Sequence, residues 1–323
     1  MIRLILLLTL TTILSAKYTN CEFQNKHYTD VCKKAVKNGV SYTYANKFLL
    51  SYFKTKKYDE VSWKYLQPRH IETHKKSEKK ANNVLVKHIP KIVEHLKKYK
   101  KVYDYSEKKY GVNREIIASI LMKETKLGKI KPTHDAFIVF NTIVVRTKPK
   151  TSRQKWLLKM GKTNMASIIT HCYKKGVVPE ECNLPSSYAG AVGIPQFMPN
   201  SFVYTDGYKT KTADLTKMED AIMSASKFLH KKADFSKLIK WDKMPDIPKI
   251  ESAWYDYEHK YKDASLVYTK NKHGKKYKCF TCDKKELSYL NEYAKKVMKY
   301  NNSSNYAIGV IRLAYDSHYL LNK

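Results

Sequence analysis

The chain has 323 residues and a formal net charge of +33, because 62 lysine and arginine residues outnumber 29 aspartate and glutamate residues. Hydrophobic residues make up 43% of the chain, with only 10 glycines and 10 prolines, which excludes a disordered or fibrous protein and allows a sizeable core. The charge favours association with an acidic polymer, but lysine supplies nearly all of it, so a sequence-specific reader of nucleic acid is disfavoured.

Residues 1–16 have the features of a secretion signal. Arg3 precedes the apolar run Leu4 to Leu14, and the small residues Ser15 and Ala16 follow it. The run is shorter than the ~20 residues that a membrane span needs, and no later stretch is comparably apolar. We therefore predict export with removal of a signal peptide at 1–16, and no membrane anchor.

The six cysteines predict disulfide bonds, because an exported chain folds in an oxidising compartment. Several connectivities are open, and the simplest joins cysteines that are close in sequence: Cys21 with Cys32, Cys172 with Cys182, and Cys279 with Cys282. Half of a zinc site or a redox motif is the alternative for the last pair, but the chain lacks a second pair with that spacing.

Apolar residues recur at a spacing of three and four, and strand-like alternation is scarce, so we predict a mainly α-helical protein. The segments with this pattern are Ala45 to Phe53, Val84 to Leu96, Ile116 to Leu121, Ala221 to Leu229 and Ala307 to Tyr319. Lysine-rich stretches such as Lys75 to Lys80 adjoin these segments, and we interpret them as solvated helix faces.

Glycine and proline are concentrated between Gly176 and Gly207, which predicts loops around a functional centre, and Met244 to Pro248 is interpreted as a linker. These features divide the mature chain into an N-terminal helical part at 17–104, a core at 105–242 and a C-terminal helical part at 243–323.

The segment from Gly111 to Gly128 predicts a helix that carries a candidate acid. The helix should begin near Asn113 and end at Gly128, which suits a left-handed cap. At about 100° per residue, an apolar stripe spans ~140° and is formed by Ile116, Ile117, Ile120 and Leu121. Glu124 falls near the middle of this stripe. Such a carboxyl is either a satisfied buried acid or a general acid whose proton is retained by desolvation.

The segment from Ser187 to Phe202 predicts a loop whose backbone can approach a ligand closely, since it contains two glycines and two prolines. Gln196 can donate and accept hydrogen bonds there, and Phe197 can anchor the loop. The alternative is a structured connection into a helix that begins at Asn200 or Ser201.

No metal site is predicted. Asp206 and Asp214 hint at a calcium loop, but Tyr208 and Thr210 occupy the alternating positions that should be carboxylates or amides, and Lys209 and Lys211 add positive charge there.

The two segments together resemble the lytic murein transglycosylase B family of bacterial cell-wall enzymes. The resemblance rests on Glu-Thr-Lys-Leu-Gly from Glu124 to Gly128 and on Ala-Gly-Ala-Val-Gly-Ile-Pro-Gln-Phe-Met-Pro from Ala189 to Pro199. It continues through Met298 to Val310, which is similar to the family's C-terminal Tyr-Asn and Tyr-Ala segment. It covers nearly the whole mature chain.

The resemblance implies a mainly α-helical fold with a lysozyme-like, SLT-type core and additional N- and C-terminal helical parts, the latter completing the cleft. The implied activity is that of a peptidoglycan lytic transglycosylase. It would cleave the β-1,4 bond between N-acetylmuramic acid and N-acetylglucosamine and leave a 1,6-anhydro end. Glu124 aligns with the family's single catalytic acid, and no cofactor is implied. We find no equally good second acid in the core, which agrees with ring closure by one carboxyl group.

The resemblance also implies glycan contacts at Ser187, Gln196, Tyr300, Asn301 and Tyr306. Phe228 stands where we expect a cleft tyrosine, so it keeps a stacking face but lacks the hydroxyl. We expect a periplasmic monomer that binds peptidoglycan glycan strands, with no specific nucleic-acid partner, while complexes with other wall enzymes stay open.

Two other functions remain alternatives. One is a lysozyme-like muramidase that cuts the same bond with water. The other is a non-catalytic, cationic wall-binding protein, for which Glu124 would be dispensable.

Overall fold

The computed structural model describes residues 18–55, 58–251, 268–270, 276–278 and 287–323. The predicted signal peptide and the predicted pair Cys279 and Cys282 lie outside them.

The described part of the chain is mainly helical, which confirms the predicted fold class. The first helices in chain order are α1 (Lys26–Lys37), α2 (Tyr42–Thr55), α3 (Glu60–Tyr65), α4 (Pro68–Val86), α5 (Ile89–Lys98), α6 (Lys100–Tyr110) and α7 (Arg114–Thr125). They are followed by α8 (Ala136–Arg146), α9 (Ser152–Lys174), α10 (Met218–Ala233), the helical residues 247–251 (α11), α12 (Ser288–Val297) and α13 (Ser304–Leu321). Short 3-10 helices occur at Pro179–Glu181, Pro199–Tyr204 and Trp241–Lys243.

The described strands form two small antiparallel sheets. Strand β1 (His134–Asp135) pairs with β2 (Pro185–Ser186), with His134 opposite Ser186. Strand β3 (Tyr268–Lys270) pairs with β4 (Lys276–Lys278). The first pairing brings the start of the loop after β2 to the N-terminal end of α8.

The apolar pattern from Val84 to Leu96 forms two helices instead of the predicted one. Helix α4 ends at Val86, and α5 begins at Ile89 with Pro90 in its first turn. Proline lacks the backbone N–H that a continuing helix would use, and its ring is best accommodated at a helix start. The proline therefore explains the break.

Two clusters of buried hydrophobic residues hold the helices together. The larger one surrounds α7 and includes side chains from α5, α6, α10, α12 and α13. The smaller one lies between α1, α2, α8 and α9. Met244 and Ile247, in the segment interpreted as a linker, are buried in the larger cluster, so this segment is packed rather than exposed. The boundaries at 104/105 and 242/243 stay predictions, and the hydrophobic core runs across them.

Both predicted disulfides within the described residues are confirmed. Cys21 bonds to Cys32 with their Cα atoms 5.7 Å apart, and Cys172 bonds to Cys182 with their Cα atoms 6.0 Å apart. The second bond ties the end of α9 to the turn that leads into β2.

Replacing Cys172 and Cys182 together by alanine should lower the free energy of unfolding by about 2–3 kcal/mol, since the open chain gains loop entropy in the unfolded state. Urea unfolding of the variant and of the wild type measures the difference. Reduction of the wild type, which also breaks the Cys21–Cys32 bond, should produce a larger loss, and an unchanged midpoint in both cases would contradict the expectation.

Within the part of the chain that the structure describes, no helix combines the length and the apolar character that crossing a bilayer requires.

Candidate functional site

Helix α7 carries the candidate acid out of the hydrophobic core. The four residues of the predicted apolar stripe are fully buried, and most of the helix is buried around them. Asn113 occupies the N-cap as predicted, but its side chain does not cap the helix. Its Oδ1 accepts from the backbone N–H of Ile239 at 2.6 Å and its Nδ2 donates to the carbonyl of the same residue. Glu124, in the last turn, is half-buried.

Helix α7 ends earlier than predicted. Its last residue is Thr125, and the left-handed cap is Lys126 rather than Gly128. Lys126, Leu127 and Gly128 all have positive φ values of 50°, 58° and 79°. The side chain of Thr125 stabilises this tight turn after the helix. Its Oγ1 accepts from the Gly128 N–H at 3.0 Å and donates to the carbonyl of Ile194 at 3.0 Å. The second bond attaches the end of α7 to the predicted loop.

The loop from Ser187 to Met198 has a backbone shape that requires glycine. Gly193 has a φ of +73°, and a Cβ there would lie 2.4 Å from the Cβ of Leu215 and 2.7 Å from its carbonyl oxygen. Gln196 is also left-handed, and its Nε2 donates to the Gly193 carbonyl at 2.9 Å. The turn is closed by paired backbone hydrogen bonds between Val192 and Phe197.

Ser187 closes the other end of this loop. Its backbone N–H donates to the Ala191 carbonyl at 2.9 Å, and its Oγ accepts from the Ala191 N–H at 3.3 Å. In place of the helix expected to begin at Asn200 or Ser201, the structure has the short 3-10 helix Pro199–Tyr204.

Two tyrosines of the C-terminal part reach the acid and the loop. The hydroxyl of Tyr306, on α13, donates to Oε1 of Glu124 at 2.6 Å. The hydroxyl of Tyr300 donates to the carbonyl of Pro195. Together with the bond between Thr125 and Ile194, these contacts bring α7, the loop and α13 into one site.

Phe228 supports this site by packing against the rings of Tyr300 and Phe197. Its ring centroid lies 5.0 Å from that of Tyr300 and 5.3 Å from that of Phe197. Phe228 is only 4% exposed, so its ring has little open face for a ligand and instead packs behind Tyr300. Asn301, next to Tyr300, is exposed.

The environment of Glu124 shifts its titration to neutral pH. Burial raises the pKa of this carboxyl from 4.5 to about 7, while the Tyr306 hydrogen bond and the charge of Lys123 act in the opposite direction and Glu78 adds to the rise. Burial also holds the pKa of Tyr300 and that of Tyr306 well above 10, so both hydroxyls stay protonated and can donate. A carboxyl that exchanges its proton near pH 7 can serve as an acid and then as a base.

Sequence reasoning missed Lys123 and Glu78, which lie beside the acid. Nζ of Lys123 is 3.7 Å from Oε1 of Glu78 and 5.0 Å from the ring centroid of Tyr306. Glu78 belongs to the lysine-rich stretch interpreted as a solvated face, yet its side chain is 18% exposed. The sequence offered one indication of this role, because Glu78 is the single acidic residue between Lys75 and Lys80.

The aspartates of the rejected calcium loop have protein partners. Asp206 accepts from Lys109 at 2.8 Å and also from Tyr110, and Asp214 accepts from Thr216 at 2.6 Å. Among the described residues, no group of three or more histidine, cysteine, aspartate or glutamate side chains is arranged to hold a metal ion.

The profile of the family described as Transglycosylase SLT domain matches residues 23–315. No curated protein sequence matches the chain significantly.

Several solved structures share the fold at low sequence identity. Soluble lytic transglycosylase SltB1 from Pseudomonas aeruginosa is 16% identical, with 93% of this chain and 100% of that chain covered and a TM-score of 0.58. The Escherichia coli lytic transglycosylase Slt35, solved with calcium, is 16% identical over 93% and 95% of the two chains, with a TM-score of 0.62. SltB3 from P. aeruginosa, solved with NAG-anhNAM-pentapeptide, is 15% identical over 90% and 78%, with a TM-score of 0.57. These structures confirm the predicted fold.

Proposed function

Since the chain belongs to the Transglycosylase SLT domain family, and is accordingly a lytic transglycosylase acting on peptidoglycan, we propose that it forms 1,6-anhydro-N-acetylmuramic acid ends with Glu124 as the single acid and base. The bond cleaved is the β-1,4 bond from N-acetylmuramic acid to N-acetylglucosamine.

The observation that carries this proposal is the hydrogen bond from Tyr306 to the half-buried carboxyl of Glu124. It fixes Oε1 of the carboxyl group, and we assign the proton transfer to Oε2. The pKa of about 7 allows the same group to donate a proton and to take one back without a second titrating residue.

In the first step Glu124 gives its proton to the glycosidic oxygen, and the bond between this oxygen and C1 of the muramic acid residue breaks. The N-acetylglucosamine part leaves as an alcohol, and positive charge develops at C1, where the sugar's own acetamido group can stabilise it. In the second step the Glu124 carboxylate takes the proton from the C6 hydroxyl as O6 forms a bond to C1. No water is consumed, and Glu124 ends in its starting form.

The surroundings of Glu78 favour a one-acid reaction. Glycosidases that use water or a covalent intermediate place two free carboxyl groups across the bond. Among the described residues, Glu78 is the carboxylate whose charge raises the pKa of Glu124, and it already accepts from Ser303 at 2.6 Å and pairs with Lys123. These partners make it a poor nucleophile or base.

The loop and the tyrosines supply the proposed glycan contacts. Ser187 and Gln196 lie on the loop, Tyr300 and Asn301 lie on the segment before α13, and we assign all four to sugar binding. Tyr306 orients Glu124, and Phe228 supports Tyr300. SltB3 binds a NAG-anhNAM-pentapeptide, which has the product chemistry proposed here. The net charge of +33 would hold the enzyme on a carboxylate-bearing polymer in the periplasm.

Digestion of purified sacculi with the protein, followed by mass spectrometry of the released fragments, tests the reaction. We expect muramic acid ends that are one water lighter than reducing ends. Reducing ends would show a muramidase instead, and intact sacculi that bind the protein would show a non-catalytic wall-binding protein.

A further inference from the structure

A cluster of largely buried polar side chains lies beside Tyr306. It consists of Lys123 on α7, Glu78 and Asn82 on α4, and Ser303 at the N-cap of α13. The side chain of Lys123 is 8% exposed, and Nζ donates to Oδ1 of Asn82 besides pairing with Glu78. A buried ammonium group is costly unless it is paired in this way.

The cluster fixes the first turn of α13. Oε2 of Glu78 accepts from Ser303 Oγ at 2.6 Å, and the same Ser303 Oγ accepts from the backbone N–H of Tyr306 at 3.2 Å. Nδ2 of Asn82 donates to the carbonyl of Asn305 at 2.8 Å. The peptide group that joins Asn305 to Tyr306 is therefore held by α4, directly through Asn82 and indirectly through Ser303.

Lys123 also contacts the tyrosine directly. Its Nζ lies 5.0 Å from the Tyr306 ring centroid, within the range of an attractive cation–π contact. The hydroxyl of the same ring donates to Glu124. A movement of Lys123 or Glu78 would therefore displace Tyr306 and change its hydrogen bond to Glu124.

Resting on the function proposed above, we propose that Lys123 and Glu78 are positioning residues: a buried charge pair that holds Tyr306 against Glu124 and tunes the acid through opposing charges.

The electrostatic effects of the two partners on Glu124 have opposite sign. The Lys123 ammonium lowers the pKa of Glu124, and the Glu78 carboxylate raises it. The other groups that face Glu124 are the hydroxyls of Tyr306 and Tyr300 on the C-terminal segment, which stay protonated. Glu251 also acts on Lys123, but it is paired with Arg312 at 3.2 Å. In the intact pair, the effects of the Lys123 and Glu78 charges on the pKa of Glu124 partly cancel.

The test compares Lys123→Met, Glu78→Gln and the double variant. Lys123→Met should raise the apparent pKa of Glu124 above about 7, and Glu78→Gln should lower it, each by about one pH unit. The double variant should return close to the wild type. Lys123→Arg, which keeps the charge, should restore the wild-type titration. Lys91→Met, an identical change at an exposed position on α5, is the matched control.

Two readouts are needed. The first is the pH profile of kcat/KM on soluble glycan strands, and the second is an NMR titration of carboxyl-labelled glutamate in which the Glu124 signal is assigned by its loss in Glu124→Gln. The NMR titration requires no cleavage, so it tests the charge pair even if the wild type fails to produce anhydro ends, which would defeat the proposed function alone.

Shifts of opposite sign that cancel in the double variant support the inference. Shifts of the same sign, or titrations that match the wild type in folded Lys123→Met and Glu78→Gln, overturn it. If Lys123→Met does not fold, Lys123→Gln provides a second neutral substitution, and Glu78→Gln alone must still lower the pKa of Glu124, because glutamine can keep the Ser303 hydrogen bond.

Discussion

Glu124→Gln should reduce peptidoglycan cleavage by about a thousandfold or more while leaving the fold intact, because glutamine can keep the Tyr306 hydrogen bond but has no proton to give. Binding to sacculi should survive, since the substitution leaves the loop, the tyrosines and the lysine surface unchanged. Release of soluble fragments and co-sedimentation with sacculi measure the two properties separately.

The same substitution should make the protein more stable at alkaline pH. The pKa of Glu124 is about 7 in the folded protein and near 4.5 for an unperturbed glutamate. The folded state therefore binds a proton more tightly than the unfolded state, and the stability from this group, present below pH 4.5, is lost as the pH rises through 7. Glutamine avoids this loss. The gain at pH 8 should reach at most about 3 kcal/mol, since one pKa unit corresponds to about 1.4 kcal/mol.

Thermal unfolding at pH 5 and pH 8 checks this expectation, with Glu94→Gln on an exposed position of α5 as the matched control. The stability difference between Glu124→Gln and the wild type should be larger at pH 8 than at pH 5. Full activity in Glu124→Gln would remove Glu124 from the mechanism, and equal differences at both pH values would contradict a carboxyl held protonated by burial.

Gly193→Ala should destabilise the protein by about 3 kcal/mol or more and abolish most of the activity. The added methyl group would lie 2.4 Å from Leu215 Cβ and 2.7 Å from the Leu215 carbonyl oxygen, a backbone atom that already accepts from Ile194 at 2.9 Å. The left-handed φ adds about 1–2 kcal/mol of strain. Because Gln196 binds the Gly193 carbonyl, its position should change as the loop moves.

Gly176→Ala is a close control for this experiment. Gly176 has a φ of +68°, near that of Gly193, but a Cβ there meets no atom within 4 Å. Gly176→Ala should show only the backbone strain and retain activity, so the difference between the two variants in urea unfolding isolates the clash with Leu215. Equal losses in both variants would mean that the loop tolerates the contact.

The spacing of apolar residues and of cysteines along the chain predicts much of the helical fold. The helix that carries Glu124, the amphipathic α13 and the two described disulfides all follow from local spacing along the chain. The break between α4 and α5 was missed because the apolar rhythm continues across it, although Pro90 was visible in the sequence. The end of α7 was placed at the glycine, while the structure uses Lys126, held by the side chain of Thr125.

The candidate site could be predicted only in part, for a physical reason. The position of Glu124 on its helix is a local property, and the glycines of the loop indicate its shape. The pairing of Lys123 with Glu78 joins residues on two helices and depends on how α4 packs against α7 and α13, which no local pattern specifies. The burial of Phe228 beneath Tyr300 has the same origin.

The contact between Tyr306 and Glu124 has a consequence for the order in which the active protein is assembled. The two residues are 182 positions apart in the sequence, and Tyr306 lies on α13, the last described helix. A folding intermediate in which α7 and the loop are formed but α13 is undocked contains the acid without the hydroxyl that orients it. Chain segments that meet across such a distance close late, after local structure has formed. We therefore expect transglycosylase activity to appear only after α13 has docked and Tyr306 has reached Glu124.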